Sequence, residues 1–339
     1  MRGSLGWTLK NLLEPKAVVL MYHRIAEPAS DVWETAVSPA HFEQQLKVLQ
    51  KRGNVVSLPE LADQIRGGKI SQNSIAITFD DGYRDNFLVA KPLLERYQLP
   101  ATFFITAGLI GQDQEFWWDE LEHLILFTEQ LPPTLSLDLG EAPLVFALTR
   151  EAVLRAELLR KHQHWQAMQA PPPTLRCKLF LQLYTLLKPL AYEQQQQKLT
   201  ELKKWANGQP QSREAYRPMS RNDLQELPKN GLFTIGSHTM THPALGYHSA
   251  SFQYRELHAG KTLLKDLLGV AADLLAYPYG NYDGKTISSA AAAQFKAAFT
   301  TSGRTATRHS PPYQIGRVQV GNWAGQTFER NLNQWLHFI

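Results

Sequence analysis

The chain has 339 residues, and its 35 Lys and Arg against 31 Asp and Glu give a formal net charge of +4. Because the charges are spread along the sequence rather than grouped in blocks, we expect no nucleic-acid partner. Aromatic residues make up 10% of the chain, a share that excludes a disordered protein. The one cysteine excludes an intrachain disulfide and any site built from several thiolates, so a bound metal needs histidine and carboxylate ligands.

The N-terminal sequence predicts a cytoplasmic protein. Its apolar run at 17–22 is too short for the core of a signal peptide. No run approaches the roughly 20 apolar residues that cross a bilayer. Peripheral contact with the inner membrane is an additional hypothesis, carried by Leu5, Trp7, Leu9, Leu12 and Leu13.

The first third of the chain alternates strands with helices. The continuous apolar run at 17–22 is typical of a strand buried on both faces of a parallel sheet. Ser38 predicts the start of a helix that Gly53 ends. Further strands are expected at 74–79 and 101–105. Strands separated by helices predict a parallel sheet with right-handed crossovers.

Residues from about 119 to 215 break this alternation and predict a mainly helical insertion within a single domain that spans 1–339. Strand patterns return at 233–235, 274–277 and 299–301. The predicted fold is therefore α/β, a barrel of parallel strands and helices with a mainly helical insertion.

Four polar clusters follow predicted strands. In barrels of parallel strands, chemistry is carried by groups just past the carboxyl ends of the strands. The clusters that meet this condition are His23, Asp80–Asp81, His238–His242 and Tyr277–Gly280. We therefore take these as the candidate site residues.

The histidine pair and one carboxylate predict a metal centre. His238 and His242 are four residues apart, so on a helical turn both imidazoles can reach one ion. Alone, such a pair or an Asp-Gly turn is more often structural. Adding Asp80 or Asp81 gives two histidines and one aspartate with an open position, the pattern of catalytic zinc. Zn²⁺ is favoured, and Co²⁺, Ni²⁺ or Fe²⁺ fit the same ligands.

Three motifs, Thr78–Gly82, His238–His242 and Ala276–Gly280, resemble in order and spacing those of the polysaccharide deacetylase family, the NodB homology or carbohydrate esterase family 4 proteins. The resemblance covers 17 to about 110 and 216 to about 323. It implies a NodB-type fold, a distorted (β/α)7-type barrel. It also implies metal-dependent removal of N-acetyl groups from an amino-sugar-containing glycan, or from a lipid- or nucleotide-linked precursor. Hydrolysis of an O-acetyl ester or a small amide, and non-catalytic glycan binding on the same fold, are the alternatives.

The resemblance also implies roles for residues. Asp81 would bind the metal with His238 and His242, and Asp80 would be the general base. An acetamide is a poor electrophile, so its hydrolysis needs both a metal and a base that removes a proton from water. The backbone N–H of Tyr279 would stabilise the oxyanion.

The chain departs from the family pattern at two positions. The arginine that commonly precedes the proline of the third motif is absent from Leu275–Tyr277, and Arg317 is our candidate to orient the base. A late Leu-x-His motif, which supplies the general acid in many members, is not cleanly present. We take His23 as the general acid, with His309 as the alternative.

Overall fold

The computed structural model describes residues 15–138, 143–208 and 212–338. The apolar residues from Leu5 to Leu13, for which membrane contact was predicted, lie outside these ranges. Within the ranges, no helix combines the length and the apolar character needed to cross a membrane. The chain forms two compact units. The first holds Thr35–Gly111 with the described parts of Met1–Glu27 and Met219–Ile339, and the second holds Pro28–Glu34 and Gln112–Pro218.

The strands of the described residues are β1 (Ala17–Tyr22), β2 (Arg24–Ile25), β3 (Ala36–Val37), β4 (Ser74–Phe79), β5 (Ala101–Ile105), β6 (Thr134–Leu137), β7 (Leu144–Ala147), β8 (Phe233–Ser237), β9 (Leu274–Ala276), β10 (Ala297–Phe299) and β11 (Val318–Gln319). Seven of them form one sheet in the order β10-β9-β8-β5-β4-β1-β11, and every neighbouring pair in it is parallel. This is the predicted α/β arrangement.

The α-helices of the same residues are α1 (Pro39–Arg52), α2 (Leu58–Arg66), α3 (Lys91–Arg96), α4 (Trp117–Glu122), α5 (Ala156–His164), α6 (Leu175–Leu187), α7 (Tyr192–Trp205), α8 (Arg221–Glu226), α9 (Ala250–Leu268), α10 (Gly284–Ala292) and α11 (Gly325–Phe338). Helix α1 shows how local sequence sets the bounds. The Ser38 side chain accepts a hydrogen bond from the His41 amide, and Gly53 ends the helix with a left-handed φ of 75°.

The central strands owe their position to their apolar sequences. Every residue of β1, β4 and β5 is buried, as expected for strands covered on both faces. Aromatic rings join neighbouring strands: Phe79 stacks on Phe103 at 4.8 Å between ring centroids and on Tyr22 at 5.3 Å. This packing holds the ends of β1, β4 and β5 close together.

The segment at 315–319, which includes β11, connects the two sides of the sheet. Ile315 forms a parallel bridge with Phe299 of β10, and Val318 pairs with Leu20 of β1. The sheet is therefore curled. Arg317 lies in the sequence between Ile315 and Val318, the two residues that make these contacts. This placement brings a late residue of the chain to the strands that carry the candidate site.

The second unit contains α4 to α7 and an antiparallel hairpin of β6 and β7. Its core includes Arg176, a fully buried arginine. The guanidinium donates hydrogen bonds to the carbonyl oxygens of Ile125, Thr128, Glu151 and Ala152. Because a buried guanidinium must have its N–H groups satisfied, these four carbonyl oxygens let the arginine stabilise the interior of this unit.

Candidate active site

The structure brings most of the predicted site residues to the carboxyl-end edge of the sheet. Asp80 and Asp81 directly follow β4, and His238 directly follows β8. Tyr279 follows β9, and His23 follows β1. Arg317 immediately precedes β11 and reaches the same group. Adjacent parallel strands end side by side, so residues distant in sequence meet here.

Asp81, His238 and His242 form a compact group of ligand atoms. The Oδ1 atom of Asp81 lies 3.4 Å from Nε2 of His238 and 3.2 Å from Nε2 of His242. The three ligand atoms all lie within 4.8 Å of one another, and all three residues are buried. Two imidazoles and one carboxylate are a donor set suited to a divalent transition metal.

The hydrogen bonding of His238 fits a metal ligand. Its Nδ1 atom lies 2.8 Å from the carbonyl oxygen of Ala276. Because a carbonyl can only accept, Nδ1 carries the proton, and the Nε2 lone pair is left facing Asp81. The backbone of β9 thus orients this ring and sets its tautomer, as in many metal sites.

The pKa shifts favour the protonation states that ligation requires. Burial opposes ionisation of Asp81, but the imidazoles of His238 and His242 beside it outweigh this effect and hold the pKa of the carboxyl well below its ordinary value. Burial lowers the pKa of His242 to about 4. At neutral pH, Asp81 is therefore ionised and His242 is neutral, which are the states that bind a metal ion.

Asp80 is held by a buried arginine. The Arg317 Nη1 and Nη2 atoms donate to Oδ1 and Oδ2 of Asp80, each at 2.6 Å. The guanidinium also donates to Thr78 Oγ1 and to the Thr300 carbonyl, each at 3.2 Å. Burial alone would raise the pKa of Asp80, but the charge of Arg317 outweighs it and lowers the pKa. Asp80 is thus an ionised carboxylate in fixed orientation, beside the group of Asp81, His238 and His242 but not part of it.

Four residues of the site have strained backbone. Asp81, Thr239, His242 and Tyr279 all have left-handed backbone, with φ values of 72°, 68°, 64° and 57°. Such conformations cost on the order of 1–3 kcal/mol for each non-glycine residue and persist where the surroundings enforce them. The site is therefore held in shape by the fold around it.

The loop with Tyr279 lies against the metal-ligand group. The Tyr279 ring contacts the His242 ring edge to face, with 4.5 Å between centroids. Gly280 follows with a φ of 62°, and a Cβ there would come within 2.0 Å of Thr301 Oγ1. Only glycine fits this position, so the turn that presents Tyr279 depends on it.

The two histidines considered as general acid lie near opposite ends of strand β1, His23 at its carboxyl end and His309 towards its amino end. His23 follows the last residue of β1, and its charge contributes to the lowered pKa values of Asp80 and Asp81. His309 is exposed in a turn after Ala306, and Ala306 pairs with Ala17, the first residue of β1. The length of β1 is roughly 17 Å, so the structure brings His23 but not His309 to the site.

Some contacts that hold the site are not evident in the sequence. The Ala276 carbonyl orients His238, and the Asn86 side chain donates to the His23 carbonyl at 2.8 Å. Glu256 accepts hydrogen bonds from the loop between His238 and His242. No spacing rule singles out these residues, because each contact depends on how separate segments pack.

Parts of the chain are similar in sequence to known proteins. A family model described as polysaccharide deacetylase matches residues 67–125 and 201–298. YxkH of Bacillus subtilis, provisionally named a polysaccharide deacetylase, is 32% identical over 111 residues, which cover 32% of this chain and 38% of that protein. The poly-β-1,6-N-acetyl-D-glucosamine N-deacetylase of Staphylococcus aureus is 29% identical over 113 residues, which cover 30% of this chain and 39% of the relative. The matches thus span less than two fifths of each relative.

Among solved structures, the deacetylase PplD of Streptococcus pyogenes, in complex with acetate, is similar with a TM-score of 0.59 and 18% identity. The similarity covers 95% of this chain and 99% of that chain. At this identity the likeness shows the fold, and it confirms the predicted NodB-like α/β architecture.

Proposed function

The chain belongs to the polysaccharide deacetylase family, and from this premise we propose that it is a metal-dependent hydrolase that removes N-acetyl groups from an amino-sugar-containing glycan or glycan precursor. The observation that carries the proposal is the buried group of Asp81, His238 and His242 beside an Asp80 held by Arg317. A metal site next to a separate, oriented carboxylate supplies the two functions that amide hydrolysis needs.

Asp81, His238 and His242 would hold the metal. A divalent ion bound there would polarise the acetamide carbonyl and acidify a water molecule. We propose Zn²⁺ because it favours this donor set, and Co²⁺, Ni²⁺ and Fe²⁺ share the preference for imidazole and carboxylate ligands.

Asp80 is proposed as the general base. Its carboxylate is ionised, and Arg317 fixes both of its oxygen atoms, so the side chain is ready to accept a proton from the attacking water. A base positioned in this way contributes about 10²–10⁴-fold to the rate. In this proposal Asp81 binds the metal and Asp80 accepts the proton, so neither carboxylate has to do both.

Two further groups complete the proposed mechanism. The backbone N–H of Tyr279 would donate to the oxygen on which negative charge develops, since the strained turn at Gly280 places this residue against His242. His23 would donate a proton to the departing nitrogen, because an amine leaves readily only when protonated. His23 follows β1 and the two aspartates follow the neighbouring parallel strand β4, so all three lie at the carboxyl ends of adjacent strands, which supports this role.

Oligomers of β-1,6-linked N-acetylglucosamine are the proposed first substrates to test. The name of the S. aureus relative states this polymer as its substrate. A lipid- or nucleotide-linked N-acetylated precursor is the second substrate to test, and it follows from the cytoplasmic location that the sequence predicts. Fractionation of cells producing the native chain tests that location, and recovery outside the cytoplasm and inner membrane would contradict it.

The test of function is acetate release from the metal-loaded chain. We expect mass loss of acetyl groups from N-acetylglucosamine oligomers, and no comparable release from acetylated xylan, which carries O-acetyl esters. Asp80→Asn is the matched control, because it removes the base and leaves the metal ligands. Release from xylan esters alone would contradict the proposal.

The segment at about 119–215 is proposed to be an insertion within one deacetylase domain. The family match omits 126–200, which supports this interpretation. We expect a chain in which a short linker replaces 119–215 to keep the metal affinity of the full chain. Loss of the fold in that variant would contradict it.

A further inference from the structure

Helix α9 contacts the loop between the two histidine ligands through a single carboxylate. The amides of Met240 and Thr241 donate to Oε2 of Glu256 at 3.2 and 2.8 Å. The Thr241 hydroxyl donates to Oε1 of the same residue at 2.9 Å. Both oxygens of Glu256 are therefore used, and they satisfy consecutive amides of the loop.

The other side of this loop is held by the segment that follows β5. The carbonyl oxygens of Thr239 and Met240 accept hydrogen bonds from the amides of Ala107 and Gly108, at 3.1 and 2.8 Å. Within the loop, the Thr239 hydroxyl accepts from the His242 amide at 3.0 Å. The segment after β5 thus binds two carbonyl oxygens of the loop, and Glu256 accepts hydrogen bonds from two amides of the same loop.

Close packing fixes the distance between α9 and the loop. Gly260 lies one turn after Glu256, on the same face of the helix. A Cβ at Gly260 would come within 2.6 Å of the Thr239 carbonyl carbon and 2.9 Å of the Met240 amide nitrogen. The helix therefore lies directly against the loop, and a side chain of glutamate length spans the remaining distance.

The loop needs such support because its backbone is strained. Thr239 and His242 have positive φ, and this conformation is kept only where contacts enforce it. If the loop relaxed, the Nε2 atoms of His238 and His242 would no longer both face Asp81.

We propose that Glu256 is a positioning residue of the metal centre: its hydrogen bonds to Met240 and Thr241 hold the loop in the conformation that directs both histidine ligands at Asp81. The inference rests on the metal centre of the proposed function and adds a residue outside the ligand set. Partners that orient metal ligands typically change metal affinity by about 10–100-fold when they are replaced.

The experiment compares Glu256→Asp with Glu256→Gln in the full chain. Aspartate keeps the charge but is too short to reach the amides, whereas glutamine keeps the length and one acceptor oxygen. The Zn²⁺ dissociation constant is measured by competition with a chelator. We expect Glu256→Asp to weaken binding by about 10–100-fold and Glu256→Gln to weaken it less. The Co²⁺ absorption spectrum should change in the aspartate variant, a readout that a purely structural role would leave unchanged.

Two further variants serve as controls. Asp266→Ala removes an exposed carboxylate from the same helix and should leave the affinity unchanged. Thr241→Val removes only one of the three hydrogen bonds to Glu256 and should weaken Zn²⁺ binding mildly. If Glu256→Asp does not fold, the Zn²⁺ affinity of Thr241→Val tests the proposal instead.

Wild-type affinity in all Glu256 and Thr241 variants would overturn the proposal. Wild-type affinity in Glu256→Asp with a loss in Glu256→Gln would also overturn it, because charge rather than reach would then matter. A wild-type chain that binds no ion refutes the metal centre itself, and this proposal with it.

Discussion

Replacement of Arg317 by methionine tests how the fold keeps Asp80 ionised. Methionine keeps an unbranched apolar stem but is shorter than arginine and carries no charge, so the variant leaves Asp80 buried without its partner. Removal of one member of a buried ion pair costs about 3–5 kcal/mol, because the remaining charge is uncompensated. We expect Arg317→Met to lower the free energy of unfolding by an amount in this range at neutral pH.

The pH dependence of this loss has a defined sign. In the wild type the pKa of Asp80 is lowered, so its contribution to stability is present above the unfolded pKa and is lost as pH falls through the folded value. Without Arg317, burial raises the pKa of Asp80, and the folded state then favours the protonated carboxyl. The stability difference between variant and wild type should therefore shrink as pH falls from about 8 to about 4.

Urea unfolding of the metal-free proteins across this pH range measures the effect. Arg304→Met is the matched control, since it replaces an exposed arginine of the same loop region and should change stability by less than about 0.5 kcal/mol. The double variant with Asp80→Asn should recover part of the loss, because it removes the unpaired charge. A loss in Arg317→Met that stays constant with pH would refute the reasoning.

Three further predictions concern the reaction and the metal. Asp80→Asn should lower kcat for acetate release by about 10²–10⁴-fold with unchanged metal content, and wild-type turnover would contradict its role as base. His23→Gln should lower kcat by a similar factor of about 10²–10⁴, whereas His309→Gln should keep the wild-type kcat. Equal losses of kcat in the two variants would contradict the role of His23 as general acid. Saturation with Zn²⁺ at 100 times Kd should stabilise the chain by about 2.7 kcal/mol in thermal unfolding, and Asp81→Asn should abolish this gain; an equal gain in both would exclude Asp81 as a ligand.

The sheet could be predicted because its strands carry a strong pattern. Strands at 17–22, 74–79 and 101–105 have the predicted bounds, since burial on both faces requires continuous apolar runs. The last predicted strand at 299–301 is instead Ala297–Phe299. Thr300 lies beyond the strand: its amide donates to the Ile315 carbonyl at 2.8 Å and its hydroxyl bonds to Ser302 at 3.0 Å, contacts that strand propensity does not reveal.

The site could be predicted only in part. Residues that follow strands are brought together by the parallel sheet, which is why Asp80, Asp81 and His238 meet. The position of His309 could not be foreseen, because it depends on the path of a long loop that pairs Ala306 with Ala17. The contribution of Glu256 likewise depends on how a distant helix packs.

We propose that Asp81, His238 and His242 hold one divalent ion. Anomalous diffraction from crystals of the zinc-loaded chain, recorded at the zinc absorption edge, tests it most directly. We expect one strong peak at about 2.0–2.2 Å from a carboxylate oxygen of Asp81 and from Nε2 of both histidines. A peak bound to other residues, or no peak at these three side chains in fully loaded crystals, would contradict it.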